Sequence, residues 1–334
     1  MLILRDGDDA PESARGGAVA IGNFDGVHRG HKALIANVLG EARSRGAPAG
    51  VIIFEPHPSA FFRPDEPHFR LTPLPEKLRL LAGLGLDFVV VLDFNAALAG
   101  MSAQQFIEDI LVARLGVTHV VIGYDFFFGR KRSGTAETML EAGKAAGFTT
   151  SIVAQQAEDG EVFSSTAIRL HLAQGDVTGA ARLLGHWWRV GGQVSEGNKL
   201  GRDLGFPTAN VDLPAGTSLK HGIYAVRVML GNGACHEAGD GEAKPFSVLA
   251  GVAYFGGRPS VDNGPARLEV FILDFEGDLY GQEIAVEFVG FVRGDMRFEN
   301  LTAMTAQMAQ DCDKAREILK SASPCRLADA QRDC

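Results

Sequence analysis

The sequence predicts two domains, an α/β domain with a doubly wound parallel sheet followed by a small all-β domain. The chain has 334 residues, more than a single hydrophobic core usually organises. In its first half, short apolar segments alternate with stretches of helical periodicity, as in βα units. In its second half, short strands are separated by glycine-rich turns. We therefore expect domains over residues 1–184 and 185–322, and a disordered tail over residues 323–334.

In the first domain, buried parallel strands are predicted where short apolar segments end in loop-forming residues, and helices where apolar residues recur with a period of 3.6. Ser102 and Thr135 are suitable N-caps for two of the helices. The predicted strands are Ala18–Ile21, Gly50–Phe54, Phe88–Leu92, His119–Ile122 and Thr150–Ala154. The predicted helices are Lys32–Ala42, Pro75–Leu84, Ser102–Leu115, Thr135–Ala146 and Ala167–Leu172.

In the second domain, glycine-containing turns separate the predicted strands, and one amphipathic helix closes the domain. This pattern indicates a small barrel or sandwich. A polar, glycine-rich stretch, Gly231–Pro245, is predicted as a long hairpin loop. The predicted strands are Trp188–Val194, Gly222–Met229, Ser247–Ala253, Leu268–Phe275 and Glu283–Phe291, and the helix is Leu301–Leu319.

Composition and charge narrow the class of function. The net charge is −9, whereas sequence-independent nucleic-acid binding needs a clustered excess of Lys and Arg. No apolar run is long enough to span a bilayer, and the first residues lack the pattern of a secretory signal. The four cysteines form no CxxC pair, which is typical of free thiols. We expect a cytoplasmic protein that binds small molecules, with no nucleic-acid or membrane partner; the sequence leaves its oligomeric state open.

A glycine-punctuated loop, Gly22–His31, carries the strongest chemical signal. It follows a predicted strand and leads into a helix, whose first N–H groups and positive dipole end favour phosphate. His28 and His31 add imidazole donors at the same place, suited to charge that develops in phosphoryl chemistry. Two alternatives are a structural turn with incidental histidines and a metal site in which His57 joins the two. The strand, the glycines and the helix favour the phosphate site.

Three further stretches carry polar groups suited to phosphate chemistry. Ser164–Arg169 places hydroxyls at a helix start and an arginine in its first turns, although an N-cap with a surface arginine also explains it. Gly201–Asn210 ends in Thr208 and Asn210, oxygen ligands suited to Mg²⁺, although a structural turn before a strand explains them too. Glu269 lies within an apolar strand and either faces solvent or accepts a proton from a hydroxyl nucleophile in a cleft.

Together these motifs resemble the bacterial family of bifunctional riboflavin kinases/FMN adenylyltransferases, also called FAD synthetases. The resemblance extends over about residues 15–320. The motifs of the adenylyltransferase module are Gly22–His31, Phe54–Pro58, Gly123–Gly129 and Ser164–Arg169. Those of the kinase module are Gly201–Asn210, His221–Val226, Gly251–Ser260, Leu268–Gly281 and Val292–Leu301. Tyr254 and Ser260 depart from the family pattern, which usually has Asn and Thr there.

The resemblance implies a Rossmann-like nucleotidyltransferase domain and a six-stranded Greek-key barrel that together convert riboflavin to FMN and FMN to FAD with ATP and Mg²⁺. It implies catalytic roles for Glu269, as base, and for His28 and His31. ATP contacts are implied for Gly22, Asn23, Phe24, Asp25, Gly30, Ser164, Thr166, Arg169, Gly205, Pro207, Thr208 and Asn210, with Thr208 and Asn210 also at the metal. Flavin contacts are implied for His57, Asp125, Phe126, Phe128, Arg293 and Phe298.

Two other hypotheses remain open at this point. One is a nucleotidyltransferase with a different acceptor, whose β domain only binds a ligand. The other is a flavin-binding protein that keeps both folds without turnover.

Overall fold

The computed structural model describes residues 1–66, 68–196, 205–213, 216–231, 247–257 and 266–322. The chain forms two compact units: Met1–His68 with Leu80–Phe163, and Phe69–Arg79 with the chain from Ser164 onward. The predicted domain boundary between residues 184 and 185 divides the chain by activity and not by compactness, and it stays a prediction. No helix in the described part of the chain is both long and apolar enough to cross a membrane.

The first unit is built on a six-stranded parallel sheet, which confirms the predicted α/β class. Its order is β1-β4-β3-β2-β5-β6. The strands are β1 (Leu2–Arg5), β2 (Ala18–Ile21), β3 (Ala49–Glu55), β4 (Phe88–Asp93), β5 (His119–Gly123) and β6 (Thr149–Val153). Strand β1, which the sequence pattern does not predict, is an edge strand of four residues of which Leu4 alone is buried. So short a segment has no periodicity to detect.

Helices flank this sheet. They are α1 (Arg29–Arg45), α2 (Pro58–Phe62), α4 (Ala96–Gly100), α5 (Ala103–Gln105, continued by a π-helix over Phe106–Arg114) and α6 (Ala136–Ala146), whereas most of α3 (Leu74–Ala82) belongs to the second unit. A short hairpin, β7 (Ala157–Glu158) and β8 (Glu161–Val162), ends the unit. The predicted caps are confirmed, because Ser102 and Gln105 form a reciprocal capping box and the Thr135 hydroxyl accepts from the Thr138 N–H.

In the second unit, six described strands close into an antiparallel barrel, as the resemblance implies. Its order is β10-β13-β12-β11-β14-β9. The helices α7 (Ser165–Gln174) and α8 (Val177–Leu184) precede β9 (Arg189–Ser195), β10 (Thr208–Val211), β11 (Gly222–Leu230), β12 (Ser247–Gly256), β13 (Arg267–Ile272), β14 (Glu283–Arg293) and α9 (Leu301–Ser321). Strand β13 ends earlier than predicted because Asp274 adopts a positive φ of 55° in a turn.

The barrel has an apolar interior and a partly covered outer face. Along β13, Leu268, Val270 and Ile272 are buried, whereas Glu269 and Phe271 are half-buried on the other face. The outer face packs against α9 through a cluster that includes Cys312 and Ala315. The helix α9 therefore covers part of the outer face of the barrel.

Several predicted features lie outside the described residues. These are Gly201–Leu204, residues 232–245 of the predicted hairpin loop, Ser260, the tail over 323–334, and every cysteine except Cys312.

Candidate functional site

The loop predicted to bind phosphate runs from the carboxyl end of β2 into α1. Phe24 and Val27 adopt positive φ values of 49° and 43°, so the loop holds a strained path between strand and helix. His28 is the N-cap of α1, and its Nδ1 accepts a hydrogen bond from the His31 backbone N–H at 3.3 Å. The rings of His28 and His31 stack with centroids 3.6 Å apart. The structure thus brings both histidines to the helix N-terminus, as predicted.

The two histidines are not equivalent donors at this place. Because Nδ1 of His28 accepts a hydrogen bond from a backbone N–H, this nitrogen of the ring cannot itself be a donor. The cap also uses the His31 N–H, one of the otherwise unpaired amides of the first turn. The prediction of two imidazole donors is therefore refined: His28 first shapes the turn, and His31 lies over it.

The described residues contain no group of three His, Cys, Asp or Glu side chains placed to hold a metal ion. His57, the third ligand in the metal alternative, is the N-cap of α2, where its Nδ1 accepts from the Ser59 N–H. Its ring stacks on His68 with centroids 4.5 Å apart. The structure therefore lends the three-histidine alternative no support.

Aromatic residues that the sequence analysis missed lie after β3 and β4. Phe61 and Phe62 of α2 both pack edge-on against Phe94, which also contacts Phe54 at the end of β3. Phe62 is 64% exposed, an unusual state for a large apolar ring held in a cluster. The available signal in the sequence is the apolar pair Phe61–Phe62, which comes three residues after the helix-starting Pro58.

The loop after β5 carries the predicted flavin contacts Asp125, Phe126 and Phe128. Phe126 and Phe128 stack with centroids 5.5 Å apart, and Phe128 also packs on Phe106 in the core. Asp125 is exposed. Phe128 is therefore mainly a packing residue, and the flavin contacts of all three stay predictions.

The motif Ser164–Arg169 begins α7 in the second unit. Ser164 caps the helix by accepting from the Ala167 N–H at 3.2 Å, and Thr166 is exposed. The Nε of Arg169 donates to the Phe69 carbonyl oxygen at 2.7 Å. The structure confirms the N-cap, whereas the phosphate contacts of Ser164, Thr166 and Arg169 stay predictions.

On the barrel, three candidate residues lie in one row across neighbouring strands. Asn210 of β10 is in register with Glu269 of β13, and Glu269 is in register with Tyr254 of β12. Directly opposed residues in antiparallel strands point to the same face, with Cβ atoms about 4.5–5.5 Å apart. Thr208, two residues before Asn210, lies on this face too. The sequence left open whether Thr208 and Asn210 belong to a turn; they belong to a strand.

Asn210 has an unsatisfied polar atom. Its side chain is 7% exposed, and its buried Oδ1 has no hydrogen-bond partner among the described residues. A buried amide oxygen without a partner costs about 1–3 kcal/mol, so such atoms usually indicate a ligand or ion. An amide oxygen on the same strand face as the Thr208 hydroxyl is the kind of oxygen donor that suits Mg²⁺.

A groove lies beside the amino-terminal half of α9, and the sequence pattern does not predict it. Its volume is about 550 Å³. It is lined by Phe206, Leu301, Thr302, Thr305, Ala306 and Ala309. Along the helix these residues follow a spacing of three to four, so the helical periodicity was the available signal. Leu301 is 57% exposed, which is consistent with an apolar binding surface.

The predicted flavin contacts Arg293 and Phe298 lie next to this helix. Nε and Nη2 of Arg293 donate to the Asp311 carboxylate, at 2.7 Å for the shorter Nη2 bond, and Nη1 donates to the Gly294 carbonyl oxygen. The Arg293 guanidinium lies 5.7 Å from the centre of the Phe298 ring. Arg293 thus ties the end of β14 to α9, and its contact with flavin stays a prediction.

The comparisons with known proteins assign a family to each half. Residues 10–167 match a family model described as FAD synthetase, and residues 184–319 match one described as riboflavin kinase. The bifunctional riboflavin kinase/FMN adenylyltransferase of Escherichia coli K12 is 41% identical over 325 residues, covering 97% of this chain and 100% of that protein. The chain belongs to the bifunctional riboflavin kinase/FMN adenylyltransferase family. Its riboflavin kinase and FAD synthetase modules make it an enzyme of FMN and FAD synthesis.

Other relatives agree with this assignment. The family member of Pseudomonas fluorescens is 41% identical over 319 residues, covering 95% of this chain and 98% of that protein. A crystal structure described as a macrolide-efflux protein from Streptococcus pneumoniae shares the fold with a TM-score of 0.79 at 25% identity, covering 97% of this chain and 100% of that one. Of the three hypotheses drawn from the sequence, the family supports the two-step enzyme.

Proposed function

We propose that the two reactions use separate sites, with FMN made on the outer face of the barrel and FAD made at the histidine loop of the parallel-sheet unit. The observation that carries this proposal is the orphaned Oδ1 of Asn210 in register with the Glu269 carboxylate. It marks a second ligand site on a unit with its own core. Accordingly, residues 1–184 contain the adenylyltransferase and residues 185–322 the kinase.

In the kinase step, Glu269 accepts the proton of the terminal alcohol of riboflavin. The alcohol oxygen then bonds to the γ-phosphorus of ATP, and the bond to the ADP oxygen breaks. An alcohol is a poor nucleophile at neutral pH, so a positioned base accelerates this step by about 10²–10⁴-fold. Thr208 and Asn210 hold Mg²⁺, which neutralises phosphate charge when bound. Gly205 and Pro207 shape the approach to β10.

The groove beside α9 supports the binding of a flat tricyclic ring. Its lining is largely apolar and combines the large side chains of Phe206 and Leu301 with the small ones of Ala306 and Ala309. Ligand sites of this kind bury most of a flat apolar ligand and use few polar groups for orientation. The isoalloxazine ring of riboflavin fits this description, with Arg293 and Phe298 at the neighbouring end of β14.

In the adenylyl step, a phosphate oxygen of FMN attacks the α-phosphorus of ATP and pyrophosphate leaves. The second pKa of a phosphate monoester is about 6, so FMN is nucleophilic without a base. The step therefore needs charge stabilisation and positioning. His31, the positive end of the α1 dipole and the loop from Gly22 to Gly30 supply these, with Ser164, Thr166 and Arg169 as further phosphate contacts. His57, Asp125, Phe126 and Phe128 contact the flavin.

The exposed ring cluster of Phe61, Phe62 and Phe94 supports flavin binding after β3. Exposed aromatic rings at the carboxyl end of a parallel sheet suit stacking with a planar ligand. We also place the enzyme in the cytoplasm, where ATP for both steps is available.

Time courses of flavin products test the proposal. Purified enzyme is incubated with riboflavin, ATP and Mg²⁺, and riboflavin, FMN and FAD are separated by chromatography. We expect FMN and then FAD, and no FMN when EDTA removes the metal. His31→Ala lowers FAD formation from FMN by about 100-fold or more while FMN still accumulates from riboflavin. Glu269→Gln slows FMN formation by about 100-fold while added FMN is still adenylylated.

The matched control for Glu269→Gln is Glu283→Gln, which changes an exposed carboxylate at the start of β14. It is expected to leave both rates within twofold of wild type. Equal loss of both activities in either site variant would contradict separate sites. Absence of both products from the wild-type reaction would overturn the enzymatic proposal itself.

A further inference from the structure

A short hairpin, β7–β8, is attached to the first turn of α1 by one arginine. Nη1 of Arg29 lies 2.5 Å from Oε2 of Glu158, and both side chains are 38% exposed. The Arg29 guanidinium also lies 4.5 Å above the ring of Phe163, the residue after β8. The Arg29 side chain therefore forms both an ion pair with Glu158 and a cation–π contact with Phe163.

The backbone beneath this arginine is closely packed. A Cβ atom at Gly30 would lie 3.2 Å from the Phe163 carbonyl oxygen and 3.1 Å from Nδ1 of His28. Gly30 therefore lets the segment after the hairpin approach the turn that carries the histidines. The Phe163 N–H donates to the Gln156 carbonyl oxygen at 3.0 Å, which closes the hairpin segment on itself.

The hairpin needs such an attachment. Each of its strands has two residues, and Asp159 in its turn has a positive φ of 50°. Isolated two-stranded hairpins are marginally stable even when longer. An exposed ion pair contributes little to global stability. The main effect of the Arg29 contacts is therefore to hold the hairpin and the histidine turn in one arrangement.

We propose that Arg29 is a positioning residue for adenylyl transfer. Its guanidinium, held between Glu158 and Phe163, fixes the hairpin as a wall beside the phosphate site at the N-terminus of α1. Glu158 balances its charge, so Arg29 acts by geometry rather than as a cation on the phosphate. This inference rests on the proposed role of His28 and His31.

The test measures kcat and KM for FAD formation from FMN in Arg29→Met, Arg29→Lys and Glu158→Gln, and in the double variant Arg29→Lys/Glu158→Gln. Small displacements of reacting groups cost up to about 100-fold, so we expect kcat to fall about tenfold in Arg29→Met. Arg29→Lys and Glu158→Gln each lower kcat about threefold to tenfold, and the double variant is no worse than the poorer single one. KM for FMN stays within twofold.

Two controls keep the result specific. The riboflavin kinase rate of each preparation should equal that of wild type, which shows a folded barrel unit, and an unchanged unfolding temperature should show that the first unit is folded. Arg43→Met changes an exposed arginine in the last turn of the same helix and should leave adenylyl transfer within twofold.

Three outcomes would overturn the inference. If Arg29→Lys is fully active and Arg29→Met only raises KM for ATP, the arginine contacts phosphate as a charge. If every variant matches Arg43→Met, the hairpin attachment has no catalytic role. If both activities fall together with the unfolding temperature, Arg29 serves folding alone. Failure of the proposed function is distinguishable, because the wild-type enzyme would then make no FAD.

Discussion

At the scale of single residues, removing the buried oxygen of Asn210 should have different effects on the stability of the barrel and on its kinase activity. Its Oδ1 has no partner among the described residues, which costs the folded barrel about 1–3 kcal/mol. Asn210→Leu removes this atom and keeps a similar volume. We expect its free energy of unfolding, from urea titration, to equal or exceed that of wild type.

The same variant should lower the riboflavin kinase rate about 10–100-fold, the loss expected when support for a metal ion is removed. Added Mg²⁺ should recover part of this rate in Asn210→Asp but not in Asn210→Leu. A variant that loses several kcal/mol of stability together with activity would show that the Asn210 amide is structural.

His119 is a residue whose ionisation is coupled to folding. Its Nδ1 lies 2.6 Å from the Thr149 hydroxyl and its Nε2 lies 3.1 Å from the Ser151 hydroxyl. Burial lowers the pKa of His119 below 6.5; Glu41 opposes this shift and Arg45 adds to it. The folded protein thus binds a proton less readily than the unfolded chain.

The free energy of unfolding should therefore be constant above about pH 7 and fall as the pH drops below about 6.5, by at most about 1.4 kcal/mol per pH unit. Urea titrations followed by circular dichroism between pH 5.5 and 8 measure this slope. His119→Gln, which cannot titrate, should show less slope over that range. Equal slopes in the two proteins would mean that other groups govern the acid side.

At the scale of elements, α9 covers the outer face of the barrel and buries Cys312. The thiol is 6% exposed, and burial raises the pKa of Cys312 to about 11. In a variant with Cys235, Cys325 and Cys334 changed to Ser, we expect a thiol reagent at pH 8 to react about 100-fold more slowly than with an exposed cysteine.

Labelling should accelerate when α9 is loosened. A Cβ at Gly290 of β14 would lie 2.6 Å from Cγ2 of Ile318, so Gly290→Val displaces the helix. Adding this change to the triple-Ser variant should speed labelling well before global unfolding. Rapid labelling of Cys312 in the unperturbed helix would contradict the packing described for α9.

The elements also show what the sequence could and could not predict. Long segments with clear periodicity, such as β3, β11 and α9, were predicted almost to their ends because burial imposes the pattern. Strand β10 was ambiguous because Thr208–Val211 is short and polar residues occupy its outer face. The groove beside α9 was missed because it depends on which helix face the barrel leaves uncovered, and that is a tertiary property.

The candidate site residues show the same difference between features fixed by the local sequence and features fixed by tertiary structure. Motifs local in sequence, such as the turn from Gly22 to His31, predicted their own geometry. The row of Asn210, Glu269 and Tyr254 depends on strand register, which single motifs do not contain. The contact between the exposed ring of Phe62 and Phe94 is likewise tertiary, so the local sequence does not predict it.

At the scale of the whole molecule, two units with separate cores carry two chemistries with different needs. In the proposed function, the barrel site offers a carboxylate base for an alcohol, whereas the histidine loop offers donors for a nucleophile that is already ionised. FMN is the product of one site and the substrate of the other. A small anionic product can leave one enzyme molecule and bind another, so the two sites need not belong to the same chain.

Mixing the two site variants tests this independence. Neither His31→Ala nor Glu269→Gln alone should convert riboflavin to FAD at more than about one hundredth of the wild-type rate. An equimolar mixture should restore FAD formation after a lag in which free FMN accumulates, and the lag should shorten as protein concentration rises. Chromatography of the flavins over time measures both quantities, and FMN added at the start should abolish the lag. The contrary result is a mixture that accumulates FMN above the KM for adenylylation and still makes no FAD. It would show that FMN must pass between the two sites of one chain. The two units would then be coupled in a way that their separate cores do not require.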